Sequence, residues 1–430
     1  MVSINLRDPV RRMQMQVIVA TWFAYAATYL LRKPVSVVKN AMAEELQMST
    51  AVLGLLDTAF LMPYAALQLV IAPFADRVGA RRILTAALIG AAVSMFALGW
   101  QSNQMVILLM LFGNGLSQSS SWPSCVKALA PWIPEENRGV VFGLWGTCQS
   151  IGGVLGTLIA VHQFQTGTWR DTFFLPSAIV FVIGVAQFFL TKTPQEAHMQ
   201  PPNERAAAKA LSDAHSVAVV DKITLWEAIK IPTFVNVCTA FFSVKLVRYC
   251  LLMWLPMYFL KHLNFDIATA GVMSTTFELG GAIGTPFIGL LSDRVFHGKK
   301  LATTFWSQTL SGVFLVFFIA VTPYSRFLGS ICMGLVGVFS TGPDMMITGP
   351  IATELGEYQG RNVQASVAGF INGLGGIGAV IQGPLIGGIA DFFGWSGVLM
   401  FIMVLSFFAA ACLLPALRYE RRRSMGLGTG

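Results

Sequence analysis

Two basic clusters lie inside otherwise apolar stretches of this chain. Arg32 and Lys33 follow Tyr29 in the first stretch, and Lys245 and Arg248 lie in a second stretch in the other half. A charge at the centre of a lipid bilayer costs about 2.5–3.5 kcal/mol on insertion scales, so such residues normally face a water-filled cavity. Arginine carries a planar fork of donors that matches phosphate oxygens. We therefore expect Arg32 and Arg248 to face a central cleft and bind a doubly charged anion.

Helical spacing adds further residues to each cluster. Tyr25, Tyr29 and Arg32 are four and three residues apart, which places them on one stripe of a helix. Lys245 and Arg248 are three apart and are expected to face the same cavity. Lys39, two turns beyond Arg32 on the same face, is expected to attract anions at the exterior mouth of the cleft.

The composition indicates an integral membrane protein. Of the 430 residues, 55% are hydrophobic and only 12% are charged, with a mean hydropathy of +0.65, whereas soluble domains carry about 25% charged residues. Long apolar runs between short polar loops favour helices over a barrel. No cleavable signal peptide is expected. The net charge of +8 does not indicate nucleic-acid binding, because the basic residues fall mostly in one set of loops.

No cofactor and no metal site are expected. The five histidines form no cluster with each other or with cysteine, and the six cysteines all fall in apolar segments. We interpret these cysteines as small buried residues and not as disulfides or ligands. An enzyme is disfavoured, because no nucleophile–base pair or phosphate-cradling glycine loop is present, and no catalytic residue is assigned.

At about 20 apolar residues per span, the sequence predicts an all-α membrane protein with twelve transmembrane helices in two six-helix halves. The first half (1–192) has spans at 15–38, 50–74, 82–101, 104–130, 138–162 and 170–192. A polar connector (193–230) leads to the second half (231–417), with spans at 232–260, 267–292, 301–322, 325–350, 363–388 and 394–417. A tail (418–430) follows.

Loop charges predict the orientation of these helices. The basic residues of the N-terminus, the second loop, the eighth loop and the tail lie on one side, and the opposite loops carry few. By the positive-inside rule, both termini and the connector are cytoplasmic. The tail arginines are also expected to touch anionic lipid headgroups.

Internal repeats relate the two halves. Asp76-Arg77 after the second span and Asp293-Arg294 after the eighth are about 217 residues apart, and Arg32 and Arg248 are about 216 apart. Such offsets predict two pseudo-symmetric halves related by an axis along the membrane normal, which in transporters bind substrate near the midplane.

These residues resemble the major facilitator superfamily, and more narrowly its organophosphate:phosphate antiporter family. The general signature is the short loop Asp-Arg-x-x-x-Arg-Arg at 76–82. The narrower resemblance is carried by residues 29–33, Asn114, Gly115, Gln118, 122–125, Arg138, Trp145, Arg248, Tyr249, Trp254, Pro256, 277–280, Asp293, Arg294 and 391–395. The resemblance covers nearly the whole chain and implies the major facilitator fold, with a monomer as the expected state.

The resemblance also implies roles for individual residues. The arginines corresponding to Arg32 and Arg248 bind the substrate phosphate, and the tyrosines corresponding to Tyr25, Tyr29 and Tyr64 line the cleft. Three positions depart from the bacterial pattern, since Gln149 replaces a histidine, Gln68 a lysine and Lys245 a tyrosine. Lys33, Gln149, Gln68 and Lys245 are included as candidate substrate ligands, although the two glutamines could instead hydrogen-bond each other.

Several charged residues have two possible roles. Arg32 could snorkel to an interface instead of facing the cleft. Glu278 is favoured as the partner of a structural ion pair, possible with Lys245, over a proton-coupling carboxylate. Asp344 either pairs with a cleft cation or caps a helix. The residues expected to form conformational gates are Asp76, Arg77, Arg138, Asp293, Arg294 and Arg361.

The predicted function is exchange of a phosphate monoester (glycerol 3-phosphate, a hexose 6-phosphate or a phosphorylated three-carbon acid) for inorganic phosphate. The glycine-rich fifth and eleventh spans would permit the close helix packing that rocking of the halves requires. A transport-inactive sugar-phosphate sensor and a proton-coupled organic-anion symporter are the alternatives. The membrane is expected to be a plasma membrane or that of an organelle such as the endoplasmic reticulum or a plastid.

Overall fold

The structure is a computed structural model that describes residues 8–133, 138–194, 196–199, 223–356 and 363–424. Most of these residues are helical, and no β-strand occurs among them. The predicted all-α architecture is therefore confirmed.

Eight helices cover the first predicted half. They are α1 (Pro9–Leu46), α2 (Thr50–Val78), α3 (Ala80–Leu98), α4 (Gln104–Gln118), α5 (Ser121–Leu129), α6 (Arg138–Trp145), α7 (Thr147–Thr166) and α8 (Asp171–Leu190). The predicted connector contains α9 (Leu225–Ile229). The elements that follow are α10 (Phe234–Lys261), α11 (Ile267–Arg294), α12 (Lys300–Val321), α13 (Arg326–Met346), a π-helical turn (Ile347–Ile351), α14 (Ala352–Gly356) and α15 (Gln364–Ser424). Each of the twelve predicted spans corresponds to a helical segment.

The fourth and fifth spans are each interrupted, which differs from the continuous helices predicted. The fourth span breaks between α4 and α5 at two serines. Ser119 Oγ donates to the carbonyl of Leu116 at 2.6 Å, and Ser120 Oγ donates to that of Ser117 at 3.3 Å. Such local side-chain bonds compete with the helical backbone ladder. Pro123, in the first turn of α5, has no N–H to donate, which costs least near a helix start.

The eleventh and twelfth predicted spans form one long element with a sharp break. Gly394 inside α15 has φ 67° and ψ −177°. An L-residue with a side chain rarely adopts a positive φ, whereas glycine does so at little cost. Gly394 therefore separates the two spans where the sequence predicts the boundary.

Seven helices among the described residues are long and apolar enough to cross a membrane. Their windows are Thr50–Leu67, Ala80–Leu98, Asp171–Leu190, Phe234–Lys261, Lys300–Val321, Arg326–Gly356 and Ser366–Arg422, and the last contains two of the predicted spans. The helices α4, α5 and α6 have 15, 9 and 8 residues, so the breaks leave pieces too short to qualify.

The chain forms two compact units. The first comprises Met1–Val38 and Ala59–Val219, and the second comprises Lys39–Thr58 and Val220–Gly430. The end of α1 and the start of α2 thus belong to the second unit, although they lie in the first half of the sequence.

Each unit repeats one close helix contact. In the first, a Cβ on Gly115 of α4 would collide with the carbonyl of Phe60 in α2. In the second, a Cβ on Gly337 of α13 would collide with the carbonyl of Phe277 in α11. Phe60 and Phe277 are about 217 residues apart in sequence, the same offset as the repeated Asp-Arg loops. The same helix pair is therefore packed in the same way within each unit.

Candidate anion-binding site

Arg32 is held in the first unit by one amide and three aromatic rings. Its Nε donates to Gln118 Oε1 at 2.6 Å. The guanidinium carbon lies 4.7 Å from the ring centre of Tyr29, 4.9 Å from that of Tyr64 and 5.4 Å from that of Phe60. Contacts of this kind with a ring face are worth about 0.5–2 kcal/mol each. Together they fix the plane of the guanidinium and the direction of its terminal N–H groups.

Two further amides extend this cluster through hydrogen bonds. Gln118 Nε2 donates to Asn114 Oδ1, one turn earlier on α4, at 2.8 Å. The Tyr29 hydroxyl donates to Gln149 Oε1 on α7 at 3.2 Å. Arg32, Tyr29, Tyr64 and Gln149, all candidates from the sequence, are therefore brought together within the first unit.

Tyr25 lies in a different environment from Tyr29. It is buried among indole rings, with ring centres 5.0 Å from Trp122 and 5.8 Å from Trp145. The Trp145 indole N–H in turn donates to Thr21 Oγ1 at 3.1 Å. Tyr25 touches Tyr29 edge to face at 6.0 Å between ring centres. Tyr25 therefore lies next to Tyr29 and packs against two indole rings.

The basic pair of the second unit shares one carboxylate. Asp344 of α13 places Oδ1 2.9 Å from Lys245 Nζ and Oδ2 2.8 Å from an Arg248 terminal nitrogen. Lys245 and Arg248 therefore lie on one face of α10, as their spacing predicts. Asp344 therefore pairs with cations, which is one of the two roles predicted for it. The partner of Lys245 in this structure is Asp344, and not Glu278, which the sequence suggested.

Lys39 is not exposed in this structure, which corrects the expectation that it lies at an open mouth. Its ammonium is 2.7 Å from Asp57 Oδ2, and the exposed fractions of the two side chains are 0% and 2%. Lys39 Nζ also donates to the Met253 carbonyl at 3.3 Å and lies 3.9 Å from the centre of the Trp254 ring. The partner of Lys39 is the carboxylate of Asp57 on α2, and both side chains lie in the interior. The sequence did not identify Asp57 as this partner.

Two neutral side chains complete the environment of Asp57. Gln382 Nε2 donates to Asp57 Oδ2 at 3.2 Å, and the Trp254 indole N–H donates to Gln382 Oε1 at 3.0 Å. Within the second unit, α1, α2, α10 and α15 are thus connected by one buried polar network. Such a network is costly to disrupt because its buried polar groups cannot form replacement hydrogen bonds with water.

An exposed ion pair lies beyond this network. Lys261 Nζ is 3.0 Å from Glu44 Oε1 at the end of α1, with exposed fractions of 42% and 64%. The hydrogen bond from Lys261 lowers the pKa of the Glu44 carboxyl below its ordinary value. This exposed pair is expected to contribute little to stability.

The remaining sequence candidates lie elsewhere. Lys33 and Glu278 are buried, and Lys33 packs on α7, where a Cβ on Gly156 would come within 3.2 Å of the Lys33 Cβ. Asp293 and Arg294 are exposed at the end of α11. The side chains of Gln68, Asp76, Arg77 and Arg138, and the whole of Arg361, lie outside the described residues.

Two neighbours of Arg32 were not among the residues assigned to the site. The sequence prediction includes Gln118 only as part of a family motif, and it does not include Phe60. The available signal was the pair Asn114 and Gln118, two amides one turn apart in an apolar span. Buried amides in such a span need hydrogen-bond partners. Arg32, a buried donor on another helix of the same half, was the obvious candidate.

The sequence matches the family model described as Major Facilitator Superfamily over residues 21–381 and 237–428. Among curated proteins it is 29% identical to a putative glycerol-3-phosphate transporter 5 of Arabidopsis thaliana, covering 95% of this chain and 91% of the relative. It is 28% identical to the glucose-6-phosphate exchanger SLC37A2 of Mus musculus, over 93% and 90%. It is 27% identical to the sugar phosphate exchanger 3 of Homo sapiens, over 91% and 90%.

Among solved structures, the chain is similar to a bacterial homologue of the human lysosomal transporter Spinster. The inward-facing, unoccupied form of that protein superposes with a TM-score of 0.72 at 16% identity, covering 96% of this chain and 98% of the other. The inward-facing, occupied form gives a TM-score of 0.68 over 94% and 96%. At this identity the likeness concerns the fold alone.

Proposed function

The chain belongs to the Major Facilitator Superfamily and is an integral membrane protein, and we propose that it is a secondary transporter exchanging a phosphate monoester for inorganic phosphate. The names of its relatives support this class of substrate, since they include a glycerol-3-phosphate transporter and sugar-phosphate exchangers. The single observation that carries the proposal is the environment of Arg32, a guanidinium oriented by Gln118 and three aromatic rings inside an apolar helix.

In this proposal, Arg32 of the first unit and Arg248 of the second both bind the phosphoryl group, with Lys245 as an additional cation. Charge-assisted hydrogen bonds from arginine to phosphate are short, often paired and about twice as strong as neutral ones. Tyr29 and Gln149 would contact the ester portion, since the Tyr29 ring lies against the Arg32 guanidinium and its hydroxyl donates to Gln149. Tyr64 would hold the plane of the Arg32 guanidinium, and Tyr25 would pack against the ring of Tyr29.

Further candidates complete this proposed machinery. Lys33 and Gln68 stay candidate ligands on the helices that also carry Arg32 and Tyr64. Alternating access requires regions that close in turn on the two sides of the membrane. The residues proposed to act there, on the cytoplasmic side, are Asp76, Arg77, Arg138, Asp293, Arg294 and Arg361.

Electrostatics supports exchange over one-way transport. Removing a charge from water costs several kcal/mol unless a counter-charge is supplied. Arg32, Lys245 and Arg248 are three cations on apolar helices, and Asp344 places one negative charge beside two of them. A dianionic phosphoryl group would bring two negative charges to these cations during reorientation, so we expect one anion to return before the next is carried.

The proposed topology follows from the same loop charges as in the sequence. Both termini and the connector would lie in the cytoplasm by the positive-inside rule. The carrier would function as a monomer surrounded by lipid, in a plasma membrane or the membrane of an organelle. Asp8 lies just before α1 and Ser325 just before α13, and the proposed topology puts them on opposite sides of the membrane. Cysteine labelling at these two positions, from each side of sealed vesicles, tests this orientation.

The function is tested in proteoliposomes loaded with inorganic phosphate. Labelled external phosphate, glycerol 3-phosphate and glucose 6-phosphate are offered in turn, with and without a proton gradient. We expect phosphate self-exchange that needs internal phosphate and no proton gradient, and uptake of at least one ester in exchange. Gradient-driven uptake into phosphate-free vesicles would instead indicate symport, and binding without movement would indicate a sensor.

Substitutions separate the site from general effects. Arg32→Ala and Arg248→Ala are each expected to abolish exchange, and Arg32→Lys to reduce it strongly, because lysine keeps the charge but lacks the paired donors. Arg326→Ala is the matched control, since Arg326 is an exposed arginine at the start of α13. Full exchange in Arg32→Ala, at wild-type expression, would refute the proposed site.

A further inference from the structure

The second unit contains two lysine–aspartate pairs that differ in access. Lys39 and Asp57 are sealed, with exposed fractions of 0% and 2%. Lys245 and Asp344 keep 16% and 14% of their side-chain surface exposed, and Arg248 keeps 13%. The second group therefore stays partly open to solvent, whereas the first is closed.

Asp344 occupies its two partners in the way a phosphoryl group would. One carboxylate oxygen is 2.9 Å from Lys245 Nζ, and the other is 2.8 Å from a terminal nitrogen of Arg248. A phosphoryl group can make the same arrangement, because two oxygens on its phosphorus can each contact a different cation. Any phosphoryl group that binds these donors must share them with Asp344 or displace it.

We propose that Asp344 is a specificity-determining residue whose carboxylate competes with the substrate for Lys245 and Arg248 and disfavours anions that carry a third negative charge. The inference rests on the proposed function. The formal charges of Lys245, Arg248 and Asp344 sum to one positive charge, so this group of side chains attracts an anionic phosphate ester. A phosphate ester with an additional carboxylate brings a like charge towards Asp344, which opposes its binding at short range.

The charge of Asp344 predicts which of the candidate phosphate esters the protein prefers. Glycerol 3-phosphate and 3-phosphoglycerate have the same number of carbon atoms and differ mainly in a hydroxymethyl group against a carboxylate. Removing the charge of Asp344 changes the charge of its cluster by one unit, whatever else surrounds the site. The wild-type protein should therefore favour glycerol 3-phosphate, and a variant without that charge should favour 3-phosphoglycerate by comparison.

The test measures inhibition of labelled phosphate exchange by the two esters in proteoliposomes. For Asp344→Asn, we expect the affinity ratio of 3-phosphoglycerate to glycerol 3-phosphate to rise at least about tenfold, the effect of one unscreened charge at a partly buried site. Asp344→Glu, which keeps the charge, should retain the wild-type preference. Ligand-induced shifts in Tm in detergent give the same ratio for any variant that binds but does not transport.

A compensating variant separates charge from shape. The double variant Lys245→Met with Asp344→Asn has the same net charge at this cluster as the wild type, so its ratio should return to the wild-type value. Asp57→Asn removes a carboxylate from the sealed pair and should leave the ratio unchanged. Because Asp57 is buried in a structural network, Tm of this variant is measured alongside.

Two results would overturn the inference. One is a ratio in Asp344→Asn within about twofold of wild type while phosphate is still bound. The other is a double variant that keeps the altered ratio, because the effect would then arise from the shape of residue 344 and not from its charge. A wild-type protein that neither binds nor exchanges phosphate or either ester would overturn the proposed function itself, and so is distinguishable from both.

Discussion

The buried pair Lys39–Asp57 provides the sharpest test of how the second unit is held together. Asp57→Ala removes the acceptor that lies 2.7 Å from Lys39 Nζ and 3.2 Å from Gln382 Nε2. The ammonium then stays in a position with no exposed surface. Removing one partner of a buried ion pair typically costs 3–5 kcal/mol, roughly, because the other charge is left without compensation.

The structure narrows this range. Lys39 would keep the Met253 carbonyl at 3.3 Å and the face of Trp254 at 3.9 Å from the ring centre. A ring contact of this type is worth about 0.5–2 kcal/mol. We therefore expect Asp57→Ala to destabilise the folded protein by about 3 kcal/mol, the lower end of the range.

The double variant Lys39→Met with Asp57→Ala removes both charges. Replacing a buried pair by apolar side chains is often neutral or stabilising, so the double variant should recover at least about half of the loss. Glu44→Gln in the exposed pair with Lys261 is the matched control and should change stability by less than about 1 kcal/mol.

Denaturant unfolding in detergent micelles measures these free energies, with Tm as a second readout. The expected order of stability is wild type and Glu44→Gln first, then the double variant, and Asp57→Ala last. A loss below about 1 kcal/mol in Asp57→Ala, or a double variant no more stable than the single one, would refute the reasoning.

Three further predictions concern packing, the arginine cluster and a helix cap. Gln118→Leu should weaken phosphate exchange at unchanged expression, because Arg32 loses the acceptor that orients it; wild-type exchange would contradict this. Gly378→Ala should destabilise the protein by about 1–3 kcal/mol, since its Cβ would meet backbone of α10, whereas Gly388→Ala in the same helix has open space and should be neutral or stabilising in Tm. Asp266→Ala should cost about 1 kcal/mol at neutral pH as the loss of a helix N-cap. Donation by the threonine hydroxyl three residues later lowers the Asp266 pKa, so this difference should be present above the unfolded-state pKa and vanish as acid titrates the folded carboxyl, which pH-dependent melting measures.

Much of the fold was readable from the sequence. Long apolar runs predicted helices at all twelve positions, and the comparisons confirm the family resemblance carried by the motif residues. The same-face placement of Lys245 and Arg248 followed from a spacing of three residues. These features depend on chain-local periodicity and hydropathy, which a sequence displays directly.

The partners of the charged residues were decided by tertiary structure. Asp344 and Glu278 are both far from Lys245 in the sequence. Their spacing along the chain therefore did not show which of the two is the counter-ion of Lys245. The sequence predicts Lys39 at an exposed mouth, yet its ammonium contacts Asp57, the Met253 carbonyl and the Trp254 ring. A buried charge takes whichever compensating group the helix packing brings within about 3 Å, and that packing depends on residues from several helices at once.

The sequence alone therefore determined which residues are cationic, which helices carry them and that Lys245 and Arg248 share one helix face. Only the tertiary structure decided that Arg32 is oriented by Gln118 and aromatic rings, that Asp344 is shared by two cations, and that Lys39 is sealed. The physical reason is that a helix face is set by bonds between near neighbours in the chain, whereas a charge is balanced by groups that are neighbours only in space.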